Sequence, residues 1–383
     1  MRRHLLLFLL SFISFVASAT TFELDDESTR VVGHNLVVFS RAQDTLLDIA
    51  REFGLGYNEI VNANPDVDVW LPGDRRRVLV PNQFILPDAD KKGIVINLAE
   101  MRLYFYPERA SNEKQRVITH PIGIGREGWK TPLGKTQIIQ KRKDPTWTPP
   151  ASILAEYLEK GDPLPKVVPA GPDNPLGAYA MRLGMPGYLL HGTNKPYGVG
   201  LRVSHGCIRL FPEDIEQLFA QVPTNTPVTI VYQPYKAAMH HNQLYVEAHK
   251  THDDMTNSSN NMTPMVEAIL KVRNTLSDDD WLFAQSLIEH HHGVVKPIDK
   301  VETEVVEDVW FIHSGMSAPP SQEFHTALQQ LGLEDKFWPI KSAVAETLIG
   351  PFESQKNAEL FAQKIIAITG KPSWVALVAS EAL

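Results

Sequence analysis

The stretch HGTNKPYGVGLRVSHGCIRL, residues 191 to 210, contains the only cysteine of a 383-residue chain. Cys207 lies between Gly206 and Ile208, with Ser204 and His205 before it. This is a tight polar turn rather than an apolar run, so the thiol is not placed like an inert core cysteine. Gly206 allows positive φ or a close backbone approach. An ordinary thiol is mostly protonated near neutrality, and a nucleophilic one needs a base or a cation beside it. His205, beside the turn, is expected to point away from the thiol. His191 ends the strand-like run GYLLHGT, sixteen residues upstream of Cys207, and the intervening glycines and Pro196 suit a loop that brings it back. His191 is therefore assigned as the base.

The compartment sharpens this reading. The N-terminus MRRHLLLFLLSFISFVASATTF has Arg2 and Arg3, an apolar run from Leu5 to Val16, and Ala17 and Ala19 at a cleavage-like site. That is the pattern of a secretory signal peptide over residues 1–19. The run is short for a membrane span, and no later stretch reaches the roughly 20 apolar residues that one needs. The mature chain is expected in the periplasm, without a membrane span. A lone cysteine cannot form an internal disulfide, and in an oxidising compartment it is a liability unless it is buried or chemically needed. The formal charge of −8, or −10 without Arg2 and Arg3, offers no basic field for nucleic acid. An apolar content of 43% suits several small cores rather than one.

HGT followed by SHGCIRL resembles the catalytic signature of the YkuD-type L,D-transpeptidases, bacterial enzymes that cross-link or decorate peptidoglycan through a cysteine acyl-enzyme. The resemblance continues through NLAEMRLYFYP, TPLGKTQI, DPTWTPPASI, VVPAGPDNPLG and FPEDIEQLF, over residues 92–248. It implies a mainly-β catalytic domain with helical lid elements, Cys207 as nucleophile, His191 as base and a supporting place for His205. The implied reaction passes a tetrapeptide-stem acyl group to an amine and releases D-Ala. The acceptor is either another stem peptide, giving a 3→3 link, or a lysine of an outer-membrane lipoprotein. Hydrolysis of the same bond, as by an L,D-carboxypeptidase, and a non-catalytic wall-binding scaffold are the alternatives. No cofactor or metal is implied.

Physical chemistry supplies roles for the neighbours. Backbone N–H groups around Gly206 and Cys207 are expected to stabilise the oxyanion formed when the thiolate attacks a carbonyl. The Gly192 carbonyl is expected to hold the His191 ring in its useful tautomer. Arg209 shares a face with Cys207 on an extended chain and can grip a substrate carboxylate bidentately. Ser204 shapes the turn. Tyr188 and the Pro- and Gly-rich segment 143–177 are the candidate substrate-binding parts, with Trp147 and Tyr157 packing over a stem peptide. GIGREG, residues 123–128, matches a dinucleotide motif in letters only, because Pro132 and Gly134 call for a turn and a strand rather than a helix. His240, His241, His249, His252 and His290 to His292 lack a metal-ligand spacing and are expected to be solvated.

The flanks complete a multidomain chain. Residues 34–82 carry a βααβ pattern, with Asp44 as the expected cap of the first helix. With DTLLDIA, IVNANP and LPGDRRRVLVP the segment resembles a LysM domain, a glycan-binding module, although Gln43 stands where that family usually has glycine. Residues 249–262 read as a linker and 263–306 as a helical segment, with Ser277 capping a helix that Gly293 ends. Residues 307–383 read as an α+β domain whose IGPFESQKNAELFAQKI resembles the second half of a SPOR domain. Boundaries near residues 34, 92 and 250 suggest that residues 90–250 could react on their own.

Overall fold

The computed structural model describes residues 20–110, 112–252, 254–255, 262–298, 309–314, 322–333, 337–339, 347–352, 354–370 and 373–378. The leader expected at residues 1–19 lies outside them.

The N-terminal part runs β1 (Thr20–Glu23), β2 (Val31–Gly33), β3 (Leu36–Phe39), α1 (Leu46–Glu52), α2 (Tyr57–Ala63), β4 (Arg77–Val80) and β5 (Gln83–Ile85). Its β3-α1-α2-β4 core has the expected βααβ order. The cap of α1 is Thr45 rather than Asp44: Asp48 N–H donates to Thr45 Oγ1 at 3.1 Å, and Thr45 N–H donates back to the Asp48 carboxylate at 3.0 Å. Asp44 is buried and pairs instead with Arg41 at 2.8 Å.

The middle part contains β6 (Gly93–Asn97), β7 (Arg102–Tyr106), β8 (Arg116–Pro121), β9 (Ile124–Gly125) and β10 (Gly134–Lys143), then α3 (Ala151–Glu159). It continues through β11 (Tyr179–Leu183), β12 (Leu189–His191), β13 (Arg202–Ser204), β14 (Ile208–Arg209), α4 (Pro212–Gln221) and β15 (Pro227–Val231). A nine-stranded sheet in the order β1-β8-β7-β6-β15-β10-β11-β12-β14 spans it. Neighbours are antiparallel except β6 with β15 and β12 with β14. Helix α4 starts on Pro212, where a missing N–H costs nothing, and carries Glu213 and Asp214 in its first turn. Its Ile215 and Leu218 join Ile94, Ile96, Leu103, Leu190 and Ile208 in one core.

Strands β16 (Tyr235–His240) and β17 (Gln243–Ala248) leave that sheet. With helices α5 (Thr263–Leu270) and α6 (Asp278–His290) and strand β18 (Lys296–Pro297) they build a separate layer with its own core. The nine-stranded sheet therefore ends near residue 231, ahead of the expected boundary at 248, because the hairpin buries its apolar face against α5 and α6. Ser277 caps α6 with Asp280 as expected, but the left-handed residue that ends the helix is His291, with φ 52°, and Gly293 follows it.

The C-terminal part is α+β: β19 (Val309–Ser314), α7 (Gln322–Leu331), β20 (Phe337–Pro339), β21 (Thr347–Phe352), α8 (Gln355–Thr369) and β22 (Ser373–Val378). Its sheet does not stop at β22. Ala376 pairs with Val38 and Leu377 with Val37, so β3 and β4 extend it to six strands in the order β20-β21-β19-β22-β3-β4. A third core mixes Phe22, Leu36, Leu46 and Ile49 with Tyr104 and Val117 and with Phe311 and Trp374. The three parts are thus interlocked.

Two polar clusters bind the parts further. Arg102, fully buried, grips Glu59 of α2 at 2.7 and 2.9 Å and also donates to Thr119 Oγ1 and the Gly54 carbonyl. Lys236 Nζ meets Glu100 at 2.7 Å, Glu247 at 3.1 Å and the Ile85 carbonyl at 2.6 Å. Three elements far apart in sequence share that one ammonium.

Candidate active site

Strands β12 and β14 pair in parallel, with Leu190 opposite Ile208 and His191 opposite Arg209. Side chains alternate along a strand. Leu190 and Ile208 therefore enter the core, both fully buried, while His191, Arg209 and the half-buried Cys207 take the other face. Strand register thus puts residue 191 on the same face as the thiol.

His191 Nδ1 lies 2.6 Å from the Gly192 carbonyl oxygen. A carbonyl only accepts, so Nδ1 carries the proton and Nε2 keeps its lone pair. Burial, and after it the Arg209 charge, push the imidazole down to about 4. Burial pushes the Cys207 thiol up. Near neutral pH the Cys207 thiol and the His191 imidazole are then both uncharged. An imidazole accepts a proton only in its neutral form, and the lowered pKa keeps His191 neutral to lower pH. Acylation is expected to be flat from about pH 5 to pH 8 and to fall only below that range. A pH–rate profile of acylation checks this, and an inflection at the ordinary histidine value of 6.5 would contradict it.

The turn around the thiol is held by short contacts. Ser204 Oγ donates to the Cys207 carbonyl at 2.6 Å and accepts the Gly206 N–H at 3.1 Å. Thr131 Oγ1 donates to the Gly206 carbonyl at 2.8 Å. Gly206 has φ 100°, and a Cβ there would sit 2.9 Å from Tyr188 Cε1, so any other residue would be strained and crowded. Tyr188 thus forms a wall of the turn. Ser204 Oγ thus already takes the Gly206 N–H, one of the two groups expected as oxyanion donors.

Arg209 has a buried Nε without a partner among the described residues. Its guanidinium passes so near Gly198 that a Cβ there would lie 2.5 Å from Nη1. Burial pulls its pKa down, and the Tyr157 phenol acts in the opposite sense. Tyr157, on α3, is the aromatic of the segment 143–177 whose phenol influences this arginine. Trp147 pairs through its backbone with Val168, at 2.9 and 2.8 Å, which staples the base of the segment 143–177.

His205 has a different role from His191. Two residues from Cys207, it would share the thiol's face on an extended strand, but the turn at Gly206 breaks that alternation. Its Nε2 lies 3.0 Å from Glu156 Oε2 and 3.1 Å from Arg126 Nη2, and its ring stands edge-on to Trp129 with centroids 4.8 Å apart. Glu156, Arg126 and Thr131 were not singled out in the sequence. The glycines of GIGREG were noticed for the wrong chemistry. Gly123 exchanges backbone hydrogen bonds with Arg209 at 2.8 and 2.9 Å, and a Cβ on Gly125 would sit 3.0 Å from Gly206 Cα. Gly123 and Gly125 have no room for a side chain: a Cβ on Gly125 would meet the Trp129 carbonyl oxygen at 1.8 Å and one on Gly123 the Gly198 carbonyl oxygen at 2.5 Å.

Among the described residues, Glu100, Glu247 and His249 bring three ligand-type atoms within 4.8 Å of one another. Lys236 bonds both carboxylates, so an ammonium already provides the positive charge there. His249 lies 2.5 Å from Glu247 and is buried rather than solvated, which corrects the expectation for it. Among the described residues no helix is long and apolar enough to cross a membrane.

A thiol to attack, an imidazole to move its proton and a guanidinium to hold a carboxylate can together carry an acyl group from one partner to another. Residues 91–230 match the family model YkuD, the L,D-transpeptidase catalytic domain. The probable L,D-transpeptidase YbiS of Escherichia coli K12 is 46% identical over 237 residues, 61% of this chain and 76% of that protein. The probable L,D-transpeptidase YcfS of the same strain is 42% identical over 310 residues, 79% of this chain and 89% of that protein. Probable L,D-transpeptidase ErfK/SrfK, also of that strain, is 45% identical over 232 residues, 60% of this chain and 73% of that protein. The chain belongs to the YkuD-type L,D-transpeptidase family, and its function is that of an L,D-transpeptidase.

Proposed function

We propose that this L,D-transpeptidase acts on peptidoglycan through an acyl-enzyme on Cys207, with His191 as general base. The observation that supports the reading most is the register of His191 against Arg209 on the Cys207 face, with His191 Nδ1 tied to the Gly192 carbonyl. His191 Nε2 takes the thiol proton as sulfur bonds to the carbonyl carbon of the third stem residue. The oxyanion forms against the Cys207 N–H. The bond to D-Ala breaks as His191 returns the proton to the leaving amine, and a thioester remains. An acceptor amine then attacks the thioester, its proton passes to His191, and the sulfur leaves and is reprotonated.

Arg209 holds the donor carboxylate in this scheme. Arg209→Lys keeps the charge but loses the planar fork, and should raise the donor concentration for half-maximal acylation about tenfold. An unchanged value would move carboxylate recognition elsewhere.

We assign the acceptor as an amine, either of a second stem peptide or of a lipoprotein lysine, and the site of action as the periplasm, behind a leader at residues 1–19. Residues 34–82 serve as a LysM-like glycan reader, and the C-terminal domain is SPOR-like. The test is mass spectrometry of products from the full chain with tetrapeptide muropeptides, with and without a lysine-ended lipoprotein peptide. Cross-linked dimers or peptide adducts with loss of D-Ala support the transferase reading. Free tripeptide as the sole product would make the protein a hydrolase, and no turnover of any donor would leave the wall-binding scaffold.

A further inference from the structure

Glu156 lies on α3, within the segment 143–177, and takes no part in the chemistry above. Its carboxylate nevertheless collects three nitrogen-bearing side chains from three places in the chain. Lys160 Nζ, one turn along the helix, meets Oε1 at 2.5 Å. His205 Nε2 lies 3.0 Å from Oε2, and the Arg126 guanidinium bonds the same oxygen. His205 Nε2 and Arg126 Nη2 are only 3.1 Å apart. A guanidinium has no acceptor, so the carboxylate between them is the group that lets ring and guanidinium share this corner. Lys160 first, then His205 and Arg126, hold the Glu156 carboxyl down to about 2, and it stays charged wherever the enzyme works.

Two further observations show what this corner touches. The next residue on the helix, Tyr157, is close enough for its phenol to influence the Arg209 charge, so α3 lies on the same side of the sheet as the Arg209 guanidinium. His205 itself belongs to the turn whose backbone is locked by Ser204 and Thr131 around Gly206 and Cys207. One carboxylate therefore joins the lid helix to the residue two positions before the thiol.

We propose that Glu156 is a positioning residue that ties α3 to the reactive turn through His205, and so sets the Cys207 thiol and its N–H for acylation. The proposal rests on Cys207 being the nucleophile.

The test uses the full chain and a disaccharide-tetrapeptide donor, with single-turnover acylation of Cys207 followed by intact-protein mass spectrometry. Glu156→Gln keeps the shape and removes the charge, and should lower the saturating acylation rate about tenfold while the half-saturating donor concentration moves less than about twofold. His205→Gln should lose about as much, and the Glu156→Gln/His205→Gln double variant should be within about twofold of the poorer single one, because both break the same tie. Lys160→Ala removes a partner that touches only Oε1, and its rate should stay within about twofold of the parent. A parent-like rate in Glu156→Gln, losses that multiply in the double variant, or an equal loss in Lys160→Ala would overturn the proposal. Should Glu156→Gln fail to melt cooperatively, His205→Gln alone decides, and a parent-like rate there overturns it. If the parent chain itself forms no adduct on Cys207, the nucleophile assignment fails instead, a separate outcome.

Discussion

Cys207→Ala is expected to abolish acylation and to leave the folded protein almost unchanged. The chain has no second thiol to take over the attack, and removing an enzyme's nucleophile commonly costs on the order of a millionfold in turnover. The structural effect is small for a physical reason. Cys207 is half-buried, and the described polar contacts of its thiol are with backbone alone, the Gly187 carbonyl at 3.6 Å and the Leu189 backbone. The turn is held by backbone atoms and by Ser204 and Thr131, which alanine leaves in place. Stability should change by less than about 1 kcal/mol. Intact-protein mass spectrometry after incubation with a tetrapeptide donor reads the first effect and thermal melting the second. A donor adduct on the alanine variant would place the nucleophile elsewhere, and a large fall in melting temperature would give the cysteine a packing role instead.

A fragment of residues 90–250 is expected to be far weaker than the full chain, although the sequence suggested a self-sufficient unit. Cutting before residue 90 removes Glu59 and leaves Arg102, which is fully buried in the intact protein, without its carboxylate. Losing one partner of a buried ion pair typically costs about 3–5 kcal/mol. At roughly 2–4 °C per kcal/mol for a domain of this size, the melting temperature should fall by about 6–20 °C. The cut also removes β1 from the edge of the nine-stranded sheet and takes Ile85 away from Lys236 and Glu247. Catalysis should suffer as well. Tyr57 N–H and Asn58 N–H donate to the Val199 and Gly200 carbonyls at 3.1 and 3.3 Å, and Arg51 grips Glu213 at 2.7 and 2.8 Å. Those contacts brace the loop between His191 and Cys207 and the start of α4. Without them the acylation rate should drop about tenfold or more, since small misplacements near a reacting centre are expensive. Glu59→Gln in the full chain should reproduce part of the melting shift. A fragment that melts and acylates like the full chain would mean that the three parts merely lie against one another.

What the sequence determined by itself is the chemistry carried in short stretches. A lone thiol after a glycine pointed to the turn at Cys207, and a strand ending in His191 pointed to the residue that the fold places on the same face. Ser277 three residues before Asp280 marked a helix start, because capping is a contact between near neighbours. The βααβ order of residues 34–82 was legible from apolar periodicity for the same reason. The tertiary structure decided which distant groups share a space. Glu156 meets His205 across 49 residues, Glu59 meets Arg102 across 43, and Lys236 reaches Glu100 across 136. In the sequence each of these looks like an ordinary surface charge, since nothing local distinguishes a carboxylate that will face solvent from one that will face a buried cation. The union of β3 with β22 was hidden likewise: an edge strand shows in its sequence that it can pair, but its partner is settled only when the cores on either side close. Asp44 missed its expected cap by one residue because Arg41 claimed its carboxylate, a choice between local bonds that only the packed loop resolves.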